Sequence, residues 1–269
     1  MSIMTKASEW ISVGALGDAF AADNNCLAQA RDLAGRRLEL HYEDGRAAAL
    51  AFGPGGTLSL DGGAVEQCGI TMPRPGIYFV DYLPKAAPRD GISFVLNLEA
   101  GSFIELATTL PTREQAHLPM LERVARGMEL TAVPLRLQRG TINRPYADDA
   151  ALPRPTTALL GKRIEYRYSP HERYEHIYLN PGFYTWRCIA GAERGLAETD
   201  ACCYYAIAPE LYLFVWREKI VPTLGVVMVD LRAMKTTGKI MGYDGNDFDK
   251  VRNFGVGAHA RVLADIPWE

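Results

Sequence analysis

The sequence predicts an all-β protein made of two antiparallel β-barrel units in tandem. Three observations support this: short runs alternate apolar and polar residues, turn signals separate the runs, and several stretches recur in the same order. The chain has 269 residues, of which 48% are hydrophobic and 23% charged. These values are typical of a soluble globular protein, and the length allows one large domain or two small ones, either with a sizeable core.

The predicted strands come from two kinds of run. Residues 37–42 and 163–168 alternate apolar and polar side chains, which suits barrel strands with one face inward. Four further runs are rich in β-branched and aromatic residues and cover residues 76–82, 92–98, 211–216 and 226–231. Turn dipeptides and tripeptides lie between the runs, at Asp44-Gly45, 54–56, 61–63 and Pro181-Gly182.

Three pairs of stretches match in order along the chain. Residues 33–39 resemble residues 159–165, an offset of 161 − 35 = 126. Residues 76–80 resemble 210–214, an offset of 212 − 78 = 134, and Gly91-Ile92 resembles Gly225-Val226 at the same offset. An eight-residue insertion in the second copy accounts for the change, so we infer two copies of one β unit.

The repeat divides the chain into four parts. Residues 1–30 form a weakly helical lead-in, in which residues 27–31 are placed to plug or cap a barrel end. Residues 31–112 form the N-terminal unit and residues 157–269 the C-terminal unit. Residues 113–156 are predicted to hold a short helix over 120–127 and then a linker. The linker prediction rests on Pro134, Pro145, Pro153 and Pro155, since proline cannot pair in a central strand.

The predicted short helix has an apolar side made by Met120, Leu121, Val124 and Met128. Pro119 stands at its start, where a missing N–H costs nothing. Helical spacing places these four residues on one side of the helix.

Charge and motifs exclude several classes of function. A net charge of −3 and a pI of about 6.0 argue against binding to nucleic acid or to an anionic membrane. No apolar run approaches the ~18 residues of a membrane span, and the N-terminus lacks the pattern of a signal peptide. Five cysteines without a Cys-x-x-Cys pair indicate buried, reduced thiols and a cytoplasmic location.

Motifs for cofactors and metals are also missing. The Gly-x-Gly at 254–257 lacks a third glycine and is interpreted as a bulge or turn, and the acidic stretch 244–249 as a hairpin loop rather than a calcium loop. His171 and His176 are five apart, which places them on opposite faces of a strand. We therefore expect neither a metal nor a cofactor.

The second repeat is rich in tyrosine and tryptophan. Tyr166 and Tyr168 point to one face of their strand, and Tyr174 and Tyr178 share a face of the next one. Buried phenols need hydrogen-bond partners. Either backbone and water supply them, or the phenols line a cavity that holds an aromatic acid or ketone beside an Arg or a Glu.

As a whole, the layout resembles the MoaF family, whose name links it to molybdenum-cofactor genes. The resemblance lies in the paired strand openings Gly-Arg-Arg-Leu-Glu and Gly-Lys-Arg-Ile-Glu, in residues 175–180 and in residues 238–243. It implies two calycin-like, that is lipocalin-like, modules packed as a pseudo-dimer. The chain lacks nucleotide-binding and cysteine motifs that molybdenum chemistry would lead one to expect.

Residues 160–168 are similar to the first strand of phenolic acid decarboxylases, which are lipocalin-like dimers that act on hydroxycinnamic acids without a cofactor. Leu-Gly-Lys precedes the Tyr166/Tyr168 pair, and Trp216-Arg217-Glu218 matches the family's Trp-x-Glu. Arg194 fits the family's arginine approximately, with Arg187 as a competing candidate. In the first repeat Leu40 and Pro84 replace Tyr166 and Glu218, so that unit is expected to be structural or to bind a partner.

This resemblance implies a catalytic set and a group of substrate-binding side chains. Tyr166, Tyr168 and Arg194 would orient a carboxylate or phenolate, and a desolvated Glu218 would protonate the substrate alkene. Alternatives stay open: Glu218 as a turn carboxylate paired with Arg217 or Lys219, and Arg194 as a solvated loop charge. The expected substrate-binding side chains are Tyr178, Trp186, Arg187, Tyr204, Tyr212 and Trp216.

Three functions compete at this stage. The first is a cofactor-independent lyase or isomerase acting on a small aromatic or unsaturated acid in the C-terminal barrel. The second is a non-catalytic, lipocalin-like binder of a small aromatic metabolite, or an operon-linked accessory protein of the MoaF type. The third is an interaction scaffold whose barrels are filled by side chains. A homodimer is compatible with all three.

Overall fold

The structure is a computed structural model that describes residues 10–21 and 24–267. Its helices are α1 (Val13–Ala21), α2 (Arg113–Ala116) and α3 (Met120–Ala125). The strands of the first half are β1 (Arg37–Tyr42), β2 (Ala47–Gly53), β3 (Thr57–Leu60), β4 (Glu66–Gln67), β5 (Gly69–Arg74), β6 (Ile77–Tyr82), β7 (Asp90–Asn97), β8 (Ser102–Thr109) and β9 (Arg136–Ile142). Those of the second half are β10 (Arg154–Pro155), β11 (Lys162–Arg167), β12 (Arg173–Asn180), β13 (Phe183–Ala190), β14 (Ala197–Ala208), β15 (Leu211–Glu218), β16 (Thr223–Asp230), β17 (Lys235–Asp244) and β18 (Asp247–Asp265).

The first nine strands form one antiparallel, barrel-like sheet in the order β4-β3-β2-β1-β9-β8-β7-β6-β5. Strand β9 lies between β1 and β8 and pairs with both. The prediction of a linker throughout residues 113–156 is therefore wrong for residues 136–142. Pro134 and Pro145 flank this strand without entering it, so neither removes a hydrogen bond from the ladder.

Strand β9 depends on a glycine at its centre. A Cβ atom on Gly140 would lie 2.1 Å from the His41 carbonyl oxygen and 2.7 Å from the Phe103 ring. Only a residue without a side chain lets β1 and the Phe103 ring approach this closely. The close packing of β9 between β1 and β8 therefore requires glycine at position 140, and a single alanine there would disturb it.

The second half forms a sheet in the order β10-β14-β13-β12-β11-β18-β17-β16-β15, with an additional pairing of β14 with β15. That pairing closes an eight-stranded meander from β11 to β18, and β10 adds a short edge pairing on β14. The two antiparallel barrel-like sheets in tandem confirm the predicted fold class.

Ladder register confirms most of the internal repeat. Gly35 and Gly161, which open β1 and β11, both have φ of 79°. Strand register makes Leu38 equivalent to Ile164 and Leu50 to His176 at the predicted offset of 126. The match of Gly91-Ile92 with Gly225-Val226 is wrong by one residue: Ile92 pairs with Tyr82 and Gly225 with Trp216, so the offset there is 225 − 92 = 133.

The two barrels pack against each other through repeat-equivalent strands. The cluster between them is apolar and contains Ile77 and Phe79 from β6 together with Leu211 and Leu213 from β15. Alternate residues of the same strands point into their own barrels, as Tyr78 and Phe214 do. The arrangement is a pseudo-dimer within one chain.

Helix α1 covers one end of the C-terminal barrel. Val13, Leu16 and Phe20, spaced for one helical face, are buried in the core of that barrel. Of residues 27–31, which the sequence suggests as a plug or cap of a barrel end, Leu27 and Gln29 line a cleft between the barrels, and Ala30 packs against the core of the N-terminal barrel. The periodic apolar face that can seat on a barrel mouth belongs to α1.

The apolar side predicted for residues 120–127 does not pack inward. Met120, Leu121, Val124 and Met128 are exposed, whereas Arg123 is buried and donates to the Glu129 and Gln115 carbonyl oxygens. Those bonds hold the guanidinium inward and turn the apolar side outward. None of the described helices is long and apolar enough to cross a membrane.

Two smaller expectations have opposite outcomes. Residues 244–249 form the hairpin between β17 and β18, as predicted, with Gly245 at φ of 70°. Residues 254–257 are neither bulge nor turn, because they lie inside β18 in regular register with β17.

Cys68, Cys188 and Cys202 are buried as predicted, but Cys26 and Cys203 are partly exposed.

Gly140→Ala should destabilise the protein, because the new methyl group would push β9 away from His41 and Phe103. We expect a loss of about 1–3 kcal/mol in the free energy of unfolding, as for overpacked sites, measured by urea titration. The matched control is Gly69→Ala, where the nearest atom to a new Cβ lies 3.9 Å away. Equal stability of the two variants would contradict a steric role for Gly140.

Candidate functional site

The most distinctive site lies inside the C-terminal barrel, directly beneath α1. Its free volume is about 30 Å³. A cavity of about 150 Å³ is the size that admits a benzene ring. With α1 in place, the pocket therefore has space only for water. Its walls are made by Leu16, Phe20, Tyr168, Tyr174, His176, Tyr184, Trp186, Glu193, Trp216, Glu218 and Ile240.

The lining follows from the two-residue period of the strands. On β12, Tyr174, His176 and Tyr178 point inward, and on β15 Phe214 and Trp216 do so. Their rings contact one another edge to face or stacked; Phe214, for example, stacks on Trp216 with centroids 5.3 Å apart. The result is a stiff aromatic wall.

Glu218 ends β15 with its carboxyl group at the pocket. The indole N–H of Trp216 donates to its Oε1 at 2.9 Å. Burial, followed by the nearby charges of Asp200 and Glu193, raises the pKa of Glu218 well above its ordinary value. A turn carboxylate paired with Arg217 or Lys219 is excluded, because Arg217 bonds Glu129 and Lys219 bonds Glu198.

A second carboxyl group faces the same space. Glu193, on the turn between β13 and β14, is buried and accepts a hydrogen bond from the Tyr174 hydroxyl at 3.0 Å. Burial raises the pKa of Glu193 to about 7, and the charges of Glu172 and Glu198 add to that rise. Burial thus shifts both pocket carboxyl groups toward the protonated form, in which a carboxyl group can donate a hydrogen bond.

Behind the pocket, a single lysine ammonium group forms ion pairs with two buried carboxylates. Lys219 Nζ lies 2.6 Å from Glu198 and 3.4 Å from Asp200. Asp200 also accepts from the Trp186 indole N–H at 3.0 Å. Burial raises the pKa of both acids, and a single Lys219 charge only partly opposes that rise.

His176 is a pocket residue that the sequence analysis did not select. Burial lowers its pKa to about 3, so the imidazole is neutral, and Nδ1 has no hydrogen-bond partner among the described residues. It sits within an aromatic cage, 4.7 Å from the Tyr166 ring and 5.2 Å from the Tyr184 ring. Alternation with Tyr174 and Tyr178 along one strand was the signal that could have revealed it.

The structure brings some predicted residues to the pocket and places others behind it. Tyr168, Trp186, Trp216 and Glu218 line it. Tyr166 and Tyr178 lie deeper in the core, where their hydroxyls share a 2.7 Å hydrogen bond.

The remaining predicted residues are farther away. Arg194 is exposed on the turn after β13, outside the set of lining residues. Arg187 points outward and pairs with Glu175. Tyr204 is core, bonded to Cys202, and Tyr212 is only partly buried. Among residues 10–21 and 24–267, no arginine or lysine lines the pocket, so the polar character that these residues give it comes from phenols, carboxyl groups and a neutral imidazole.

Sequence comparisons place this geometry in a family. A model of the MoaF N-terminal domain matches residues 8–112, and a model of the MoaF C-terminal domain matches residues 153–266. "Protein MoaF" from Klebsiella aerogenes is 43% identical over 260 residues, covering 97% of each chain. The chain belongs to the MoaF family.

A structural comparison adds little to the MoaF assignment. A chain solved as "Crystal Structure of a putative beta-lactamase from Burkholderia vietnamiensis" has a TM-score of 0.34 and 15% identity, covering 39% of this chain and 95% of its own. That TM-score is too low to carry an argument about function.

No group of three or more His, Cys, Asp and Glu side chains within residues 10–21 and 24–267 of this MoaF protein has the arrangement of a metal site. The acids around Lys219 are instead accounted for by that ammonium group and by indole and phenol donors.

Glu193→Gln should stabilise this MoaF protein at alkaline pH. Folding raises the pKa of Glu193 from 4.5 to about 7, so its favourable contribution is complete below about pH 4.5 and is lost as the pH rises through 7. At pH 8 the variant should be more stable than the wild type by up to about 3 kcal/mol, and at pH 4.5 nearly equal to it.

Urea unfolding at the two pH values measures this difference. The exposed Glu114→Gln is the control and should follow the wild type at both pH values. A Glu193→Gln variant whose advantage did not grow with pH would show that Glu193 is ionised without penalty.

Proposed function

We propose that the C-terminal barrel binds a small aromatic or unsaturated acid, and that the ligand takes the space now held by Leu16 and Phe20 of α1. The observation that carries the proposal is the pairing of an aromatic wall with two carboxyl groups, those of Glu193 and Glu218, beneath a single helix. As a non-catalytic binder, the protein would act as an accessory protein in the sense of the MoaF family.

The polar groups of the pocket suit a ligand that carries oxygen acceptors. Tyr168 and Tyr184 line the pocket, and each brings a phenol that can donate a hydrogen bond to a ligand. A protonated Glu218 adds a further donor. Three donors in an apolar surrounding match a carboxyl or carbonyl group attached to a planar apolar body.

Helix α1 is suited to act as a removable plug. It is nine residues long, too short to be stable on its own, and therefore depends on its docking to the barrel. The docking is close because Gly17 faces the Phe254 ring, where a Cβ would lie at 2.9 Å, and Gly242 faces Val13. Its outer face adds only an exposed ion pair between Asp18 and Arg252.

A lyase is the second candidate, and the raised pKa of Glu218 favours it. A protonated Glu218 at pH 7 could give its proton to the alkene carbon next to the substrate carboxylate, while the phenol loses its proton to solvent. The resulting quinone methide would release CO₂, and the C–C bonding pair would form the vinyl double bond and return the ring to a phenolate. Solvent would then protonate both that phenolate and Glu218. Water exclusion by α1 would protect the intermediate.

Phe20→Ala should increase affinity for a hydroxycinnamic acid by about tenfold, because it vacates ring-sized space without removing a polar group. Quenching of Trp186 and Trp216 fluorescence measures the binding. Leu121→Ala, at an exposed apolar position of α3, is the control and should bind as the wild type does. If neither the wild type nor Phe20→Ala bound any hydroxycinnamate, the barrel would be a filled scaffold.

Glu218→Gln should lower turnover of a hydroxycinnamate at least tenfold, because an amide cannot transfer the proton. The decay of the conjugated-acid absorbance measures the rate. The resemblance to the decarboxylases places Tyr166 in the catalytic set, but the Tyr166 hydroxyl bonds Tyr178 away from the pocket. We therefore expect Tyr166→Phe to change the rate less than twofold. Equal rates in wild type and Glu218→Gln would exclude the lyase and leave the binder.

A further inference from the structure

A second, larger cavity lies between the two barrels. Its volume is about 550 Å³, within the range of pockets that hold small-molecule ligands. One wall is formed by β5 and β6 of the N-terminal barrel and the opposite wall by β17 and β18 of the C-terminal barrel. Residues 26–29, which connect α1 to β1, form the third side. We call this space the inter-barrel cleft.

A buried ion pair crosses the inter-barrel cleft. Lys239 of β17 is 1% exposed, and its Nζ lies 2.6 Å from Asp81 Oδ1 on β6. Ser93 donates to the same oxygen at 2.8 Å, and Asn253 Nδ2 donates to Asp81 Oδ2 at 2.6 Å. The carboxylate is therefore fully satisfied, and the charges of lysine and aspartate cancel.

Two side chains of this network keep unused hydrogen-bonding capacity among the described residues. Lys239 carries three N–H donors, of which Asp81 takes one, while the Met241 sulfur at 4.0 Å is a weak second acceptor. Asn253 Oδ1 is buried and accepts no hydrogen bond within the described chain. Both side chains bond the same Asp81 carboxylate, so the spare donors of Lys239 and the spare acceptor of Asn253 belong to one network.

Glycines make the space around the pair. Gly255 is the cross-strand partner of Lys239, and Gly69 is the cross-strand partner of Asp81. Neither glycine has a positive φ, and a Cβ on either would meet nothing closer than 3.8 Å. The backbone conformation does not require glycine at these two positions. The effect of having no side chain there is to leave space in the cleft.

We propose that the inter-barrel cleft is a second small-molecule site, for a neutral ligand with a lactam edge. The ligand C=O accepts a hydrogen bond from Lys239 Nζ, and its adjacent N–H donates to Asn253 Oδ1. The cancelled charges of Lys239 and Asp81 explain why the edge is neutral rather than anionic. Phe79, Tyr82 and Leu83 supply apolar wall for the body of the ligand.

The test uses uridine and 3-methyluridine. In 3-methyluridine a methyl group replaces the hydrogen on the lactam nitrogen. Saturation-transfer NMR titrations of the full-length protein at millimolar nucleoside measure both affinities. We expect uridine to bind and 3-methyluridine to bind at least about tenfold more weakly, because methylation leaves Asn253 Oδ1 unpaired. Equal affinities, or no binding of uridine, would overturn the proposal.

Two variants locate the binding. Gly255→Leu fills the cleft and Asn253→Leu removes the acceptor, so each should weaken uridine binding at least about tenfold. Glu218→Gln, in the other barrel pocket, should leave it unchanged. Thermal unfolding checks that each variant is folded, and Gly69→Val fills the cleft from the opposite wall if Gly255→Leu does not fold. Undiminished binding in a folded, filled variant would place uridine elsewhere and refute the site.

Discussion

The alternation of side chains along each strand is the constraint on which the rest of the structure depends. On β6 and β15 one set of alternate residues fills the barrel to which the strand belongs, and the other set packs between the barrels. A strand used on both faces has no solvated side, which explains the nearly continuous apolar runs in these segments. Both candidate sites are departures from hydrocarbon packing: the barrel pocket on the inner face and the inter-barrel cleft on the outer one.

The two barrels share a backbone plan and differ in what fills them. Leu40 and Leu50 of the first barrel correspond to Tyr166 and His176 of the second, so hydrocarbon is replaced by phenol and imidazole at equivalent ladder positions. Burying such groups costs free energy unless they find partners. In the second barrel, this cost appears at Glu193 and Glu218. Their carboxyl groups lie beside aromatic rings, and burial raises the pKa of both. The first barrel also buries polar groups, such as Tyr42 and Glu105, but the side chains of these two residues hydrogen-bond each other.

Sequence reasoning reached the fold because period-2 runs and a tandem repeat are local signals. It missed β9, since the flanking Pro134 and Pro145 indicate a linker while the pairing that makes Arg136–Ile142 a central strand is formed by distant residues. Among the site residues, Tyr168, Trp186, Trp216 and Glu218 were identified through a resemblance. Arg194 was chosen from approximate spacing, which cannot tell a turn from a barrel wall. Glu193 and Lys239 could not be found, because their environments are assembled from several strands.

The position of α1 has a consequence for the order in which the chain is assembled. Helix α1 is synthesised before the strands that receive it, β17 and β18. The N-terminal barrel can complete itself once β9 has emerged, whereas the lead-in must wait, undocked, for more than half of the chain. Docking of α1 therefore joins segments that lie far apart in the chain, and it can follow only after β18 has been made.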